Sequence, residues 1–184
     1  QLDALETAQL ANLTTRQIAA LTTQQIASLQ PDDLAALGTA QYAAMTTAQL
    51  ANLTTAQAAA LEGNDVAALS LTQLRALTVD SVAALSGTAV AALTTSQVGG
   101  LTTAQMAAFT ADQLAAMQTA DVAAIGLPQL AAISPALITA FDTAQLGALT
   151  TRQIGVLTTA QIAALDPDAL AGMTTLQYAA LSTA

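Results

Sequence analysis

An eight-residue phrase runs through the whole chain with no insertion or deletion, and this fixed register restricts the possible folds more than any other feature. The stretch from Leu157 to Ala164, Leu-Thr-Thr-Ala-Gln-Ile-Ala-Ala, is its template. With Leu157 at position 1, all 23 first positions are large and apolar, as Leu13, Met45, Phe109 and Ile125 illustrate. Position 6 is large and apolar in every octad except at Ala58. A short fixed period makes the repeat the unit of folding, so the length of 184 residues does not count domains. No linker or shift in composition interrupts residues 1–184, and the expectation is one continuous array, part of a longer array or fibre.

Position 2 is Thr, Ser or Asp in 17 of 23 octads and position 5 is Gln in 16, the spacing of a capping box. In such a box the hydroxyl of Thr158 accepts from the backbone three residues on, and Gln161 reaches back to the N–H of Thr158. The apolar residues on either side, Leu157 and Ile162, stand at the spacing of a hydrophobic staple. Proline tests the assignment: Pro31, Pro135 and Pro167 fall at position 3, the first helical residue, where a missing N–H costs nothing, and Pro128 is one place later. Eleven of the twelve acids, among them Asp32, Asp33, Glu62, Asp112, Asp142, Asp166 and Asp168, lie between N-cap and N3, where the helix dipole favours them; Asp3 is the exception. Positions 7 and 8 are mostly Ala, a helix former small enough to let backbones approach.

One continuous helix is excluded, because eight residues at about 100° each shift the apolar positions by about 80° per octad and leave no seam. A coiled coil needs a period near 3.5 residues. A β-solenoid is the competing architecture, but the 5-and-3 alternation sends positions 1 and 6 to opposite faces of a strand, and alanine is a poor strand former. The pattern therefore predicts an all-α solenoid, with a helix of about six residues per octad broken by one extended residue at position 2. Positions 1 and 6 form the core, and the Thr and Gln caps ring the outside. At two or three octads per turn and layers about 8 to 10 Å apart, the rod would be on the order of 70 to 110 Å long.

The octads are near consensus from Leu5 through Thr54. They diversify between Glu62 and Gly100 (Gly63, Leu71, Val79, Gly87, Gly99-Gly100), recover from Leu101, loosen around Gly126-Leu127-Pro128 and Ser134-Pro135, and are restored from Phe141. Arg16 recurs as Arg152, Pro31 as Pro167 and Tyr42 as Tyr178, each 17 octads later, which points to block duplication. Gln1 stands at position 5, where the register predicts no signal peptide, and Ala184 stands at position 4, so one copy joined to another is expected to keep the register. The uncapped ends, with Leu2 and Leu5 on one side and Leu181 with Ala179-Ala180 on the other, predict head-to-tail continuation with neighbouring repeats or further copies.

The chain contains no Cys, His, Lys or Trp, so disulfides, imidazole catalysis, Cys/His metal sites and Schiff-base chemistry have no residues to use. A net charge of -9 opposes binding to nucleic acid and anionic membranes. The mean hydropathy of +0.55 comes from alanine and the apolar frame, and no run nears the roughly 20 apolar residues of a membrane span. Threonine pairs such as Thr14-Thr15, Thr22-Thr23, Thr46-Thr47 and Thr102-Thr103 could form a lattice for ice or glycan, although capping already explains position 2. Asp166 with Asp168, or Glu62 with Asn64 and Asp65, could hold calcium, but no EF-hand or glycine-aspartate repeat surrounds them. Arg16, Arg75 and Arg152 read as solvated charges, and Tyr42 and Tyr178 as core. Asn12-Leu13-Thr14 and Asn52-Leu53-Thr54 match a glycosylation acceptor pattern as by-products of the repeat. No catalytic, cofactor-binding or metal-binding residue is assigned, and no enzyme activity, cofactor or small-molecule substrate is expected.

With Leu-Thr-Thr-Ala-Gln-Ile-Ala-Ala at Leu157, Leu-Thr-Thr-Arg-Gln-Ile at Leu13 and Leu149, and Leu-Thr-Thr-Ala-Gln-Met-Ala-Ala at Leu101, the chain resembles the Thr-Thr-x-Gln octad arrays of very large secreted or surface bacterial proteins, often labelled adhesin-like. The resemblance implies an extracellular or cell-surface setting and a role as fibre subunit or adhesin stalk. Recognition of ice or glycan through threonine rows is the alternative.

Overall fold

The computed structural model describes residues 7–181, and the expectations resting on Gln1, Leu2, Asp3, Leu5 and Ala184 lie outside them. Among the described residues every regular element is an α-helix, from four residues (Pro135–Ile138) to seven (Thr175–Leu181), and there is no strand. Two compact units, Gln1–Leu93 and Thr94–Ala184, each hold eleven of these helices.

One octad shows why the helices form and stop. Thr158 has extended backbone (φ -70°, ψ 155°), and its Oγ1 accepts from the N–H of Gln161 at 3.2 Å. Gln161 Oε1 accepts in turn from the N–H of Thr158 at 2.8 Å, which closes the capping box. The helix Thr159–Ala164 ends where the N–H of Leu165 donates to the carbonyl of Ile162 at 3.2 Å. Pro31, Pro135 and Pro167 begin helices, and Pro128 is the second residue of Leu127–Ala132.

The break between helices differs from the single extended residue expected. Leu21 (-65°, 141°) and Thr22 (-72°, 159°) are both in the polyproline II region, so the helical run is interrupted at position 1 as well as position 2. The reason is geometric: φ near -65° is common to helix and polyproline II, so rotation of ψ at two successive residues is enough to leave the helix. No described residue has positive φ, and none of the breaks uses a left-handed glycine.

Stacking takes three octads per turn. In the first unit Thr15–Ala20 packs on Thr39–Ala44, which packs on Gly63–Ala68, which packs on Gly87–Ala91, each step 24 residues on. A second column runs through Thr7–Ala11, Pro31–Ala35, Thr55–Ala59 and Val79–Ala84, and a third through Thr23–Ser28, Thr47–Ala51 and Leu71–Ala76. The second unit repeats the pattern, for example from Thr103–Ala107 through Leu127–Ala132 and Thr151–Ile154 to Thr175–Leu181.

Positions 1 and 6 supply the core, with Leu50, Leu74, Leu114 and Ile154 fully buried. Burial is incomplete at Leu13 and Leu21 in the first unit and at Ile162, Leu170 and Leu181 in the second. Tyr42 is core, as expected, whereas its duplicate Tyr178 is 45 % exposed because no further helix covers it among the described residues. Small residues sit where turns approach closely: a Cβ on Gly99 would lie 3.0 Å from the carbonyl oxygen of Ala124, and one on Gly147 2.9 Å from that of Gly172.

Candidate functional site

The side chain that organises each unit is the glutamine of position 5. Expected on the outside, it is exposed at Gln9 and Gln17 and half-buried at Gln25, but from Gln41 onward it is buried: Gln49 and Gln57 are 1 % exposed and Gln161 is 0 %. Its oxygen serves its own cap, while its nitrogen leaves the octad altogether. Gln161 Nε2 donates to the carbonyls of Leu130 at 2.9 Å and Ile133 at 2.7 Å, 31 and 28 residues back. Gln49 does the same to Ile18 (2.8 Å) and Leu21 (2.7 Å), and Gln153 to Val122 (3.2 Å) and Ile125 (2.8 Å). The acceptors are the position 6 and position 1 carbonyls, which a short helix leaves without full intrahelical partners. One amide therefore caps the start of one helix and the end of another on the turn before, and this satisfies polar groups that burial would otherwise penalise.

The expectation that the glutamine serves only a local cap on the outside is corrected by this geometry. A signal was present in the sequence: a capping box accepts Glu as readily as Gln, yet none of the position 5 residues is Glu. A carboxylate offers no proton to the two carbonyls, and the amide does.

Exceptions at position 5 fit the same logic. Asp65 is buried, and desolvation holds its carboxyl above the ordinary value, against the N–H of Glu62, which favours the ionised form. Desolvation raises Asp121 in the same direction. The carbonyl of Leu34, which stands 31 residues before Asp65, accepts from the Tyr42 hydroxyl at 2.6 Å. Burial, with the charges of Asp65 and Glu62 behind it, keeps that phenol protonated to high pH. Asp33 accepts from the N–H of Gln30 at 3.2 Å and from the Thr7 hydroxyl at 2.9 Å, so it too joins two turns.

Asp166 Oδ1 accepts from the N–H of Asp168 at 2.9 Å, a local cap. Of the calcium candidates at Glu62, Asn64 and Asp65, Asp65 points into the packed interior, and no group of three metal-ligating side chains occurs among the described residues. Arg16, Arg75 and Arg152 are exposed, Arg152 beside an open groove lined by Ile125, Gly126, Leu127 and Thr150. Asn12 and Asn52 are exposed and donate to the carbonyls of Ala8 (2.7 Å) and Ala48 (2.8 Å). Thr102 and Thr103 are both exposed, and the Thr102 hydroxyl is engaged by the N–H of Gln105 at 3.1 Å. No helix among the described residues is long and apolar enough to cross a membrane.

Short capped helices stacked three to a turn and tied by a buried glutamine row define an α-solenoid repeat protein. The chain belongs to the ALTTAQ repeat family, which matches residues 1–31, 26–63, 58–95, 90–119 and 122–166. No curated protein matches it.

Proposed function

We propose that this chain is a structural protein of the cell exterior, forming a rod or filament as a fibre subunit or the stalk of an adhesin. The observation that carries the reading is the glutamine row: the residue type that recurs most faithfully among the polar positions is buried from Gln41 onward and there spends both ends of its amide on holding turns together. Nothing in that arrangement calls for a substrate, cofactor or nucleic acid, and the partner it suits is more of the same repeat. An acidic surface keeps such a rod soluble and repels other anionic surfaces.

Immunogold labelling of intact source cells tests the setting and the form together. Labelled filaments or stalks outside the envelope are the expected result, and label confined to the cell interior would overturn the reading. Exposed threonines at positions 2 and 3, such as Thr102 and Thr103, favour surface recognition of ice or glycan as the second reading. Thermal hysteresis in dilute solution of the purified chain would shift the assignment to ice.

A further inference from the structure

The exposed cation Arg152 stands beside a groove that the local sequence opens between two stacked turns. Position 3 of one turn meets position 8 of the next, 29 residues on, and a glycine takes part where this contact is tightest: Gly63 meets Ala92, and Gly172 meets Thr143. At the same offset stand Leu127 and Val156, two branched side chains that are both half-buried. Such bulk keeps the edge of Leu127–Ala132 from closing on Thr151–Ile154. Gly126 also brings no side chain to position 2, where Thr102, Thr150 and most other octads carry one. The opening has a volume of about 430 Å³, enough for a small organic ligand. Its lining includes apolar Ala123, Ile125 and Leu127 and polar Thr151 and Arg152.

The polar groups along the groove divide into those already spent and those left over. Gln153 is spent: its Oε1 accepts from the N–H of Thr150 at 2.7 Å, and its Nε2 donates to the carbonyls of Val122, Ala123 and Ile125. The Thr150 hydroxyl is spent as well, since it donates to Gln153 Oε1 at 2.8 Å and accepts from the Gln153 N–H at 3.2 Å. Thr151 and Arg152 are exposed, and among the described residues nothing engages the Thr151 hydroxyl or the Arg152 guanidinium. A ligand therefore meets a planar cation, one hydroxyl and an apolar wall. Arg152 is also the only basic residue from Thr94 to Ala184, a stretch that carries Asp112, Asp121, Asp142, Asp166 and Asp168. A lone cation in an acidic setting admits one negative charge and turns polyanions away.

We propose that the groove beside Arg152 binds a small monocarboxylate with an aliphatic stem. The guanidinium offers the carboxylate two parallel N–H donors, a geometry that suits arginine better than any other cation. The Thr151 hydroxyl donates a further hydrogen bond, and the stem leaves water by lying on Ile125 and Leu127. An anion of higher charge meets the surrounding acids, and a neutral alkyl compound forgoes the cation. The site adds a ligand to a chain read as structural and does not rest on that reading, because Gln153 keeps every bond it makes in the stacking row.

Hexanoate titrated into the 184-residue chain at neutral pH, followed by NMR of the arginine Nε–H and Leu127 methyl signals, tests the proposal. Arg16 and Arg75 report any general attraction between carboxylate and guanidinium. The Arg152 and Leu127 signals are expected to shift together and saturate in the millimolar range while Arg16 and Arg75 stay in place. Acetate keeps the charge without the stem and should bind about tenfold or more weakly. Hexanamide keeps the stem without the charge and should bind about threefold to fivefold more weakly. The variant Gly126→Thr restores the position 2 side chain and its cap hydroxyl, and a Cβ there first meets the side chain of Gln129, the partner that Thr has in other octads. It should melt no lower than the native chain and, with the groove filled, bind hexanoate about tenfold or more weakly. Equal shifts at all three arginines, hexanamide binding as tightly as hexanoate, or native affinity in Gly126→Thr would each overturn the proposal.

Discussion

Gln57 places its Nε2 2.7 Å from the carbonyl oxygen of Leu29 and 2.8 Å from that of Ile26, residues that precede it by 28 and 31 positions. Its Oε1 meanwhile accepts from the N–H of Thr54, three residues back, at 3.0 Å. A single buried amide thus belongs to two helices on successive turns. Local and long-range order are coupled through one side chain, and a chain of helices each too short to persist alone is held in register.

The first prediction separates the two halves of the amide. Thr158→Ala removes only a cap hydroxyl and should cost about 1 kcal/mol. Gln161→Ala removes the cap acceptor and the donors to Leu130 and Ile133, which leaves buried carbonyls without partners, and should cost about 2 to 4 kcal/mol. Melting temperatures of the two variants check the order. Equal losses would mean that the bonds to the previous turn contribute nothing.

Much of this fold can be read from local rules. Proline at position 3, Thr, Ser or Asp at position 2 and the apolar pair at positions 1 and 6 each report on a neighbourhood of eight residues, and the helices start where those residues place them. The second role of glutamine is of another kind. It depends on which carbonyls the superhelix brings beneath position 5, and that offset of 28 to 31 residues follows from the closure of three octads per turn, which no single octad encodes. The different exposure of Tyr42 and Tyr178 is hidden for the same reason, since the two have nearly the same local sequence and differ in what stacks on them among the described residues.

The second prediction uses the exception at Asp65. Asp65→Gln supplies the amide that other octads have, within reach of the Leu34 and Leu37 carbonyls by the common offset, and should stabilise the first unit by on the order of 1 kcal/mol. Tyr42→Phe alone removes the hydroxyl that serves Leu34 and should cost about 1 to 2 kcal/mol. In the Asp65→Gln background that cost should shrink, because the new amide takes over the same carbonyl. A double-mutant cycle measured by thermal or chemical unfolding checks the coupling, and strict additivity would refute it.

The third prediction follows from the raised carboxyls of Asp65 and Asp121. A folded-state value above the unfolded one means that the folded chain binds more protons, so this contribution to stability is complete below the ordinary carboxylate value and is lost as pH rises through the raised one. The native chain should therefore gain stability from these two groups on acidification from neutral pH. Asp65→Gln should remove its share, flattening the dependence of melting temperature on pH. A variant with the same slope as the native chain would remove Asp65 from the account.

The last prediction opposes two glycines that sequence alone treats alike. Gly155 follows the short helix Thr151–Ile154 with φ -67° and ψ -8°, and a Cβ there would meet the Thr151 carbonyl oxygen at 3.4 Å, ordinary contact. Gly155→Ala reduces the freedom of the unfolded chain without strain and should stabilise by about 0.5 to 1 kcal/mol. Gly172 lies against the Thr143 backbone of the turn before it, and a Cβ there would overlap both the carbonyl oxygen and Cγ2 of Thr143. Gly172→Ala gains the same unfolded-state term, but it must push apart Thr143–Ala148 and Pro167–Leu170, helices that pack on each other. Overpacking of this kind costs about 1 to 3 kcal/mol, which exceeds the gain. The two alanine variants should thus shift the melting temperature in opposite directions, upward at Gly155 and downward at Gly172. Shifts of the same sign would show that the turns are not packed at the distance found between Gly172 and Thr143.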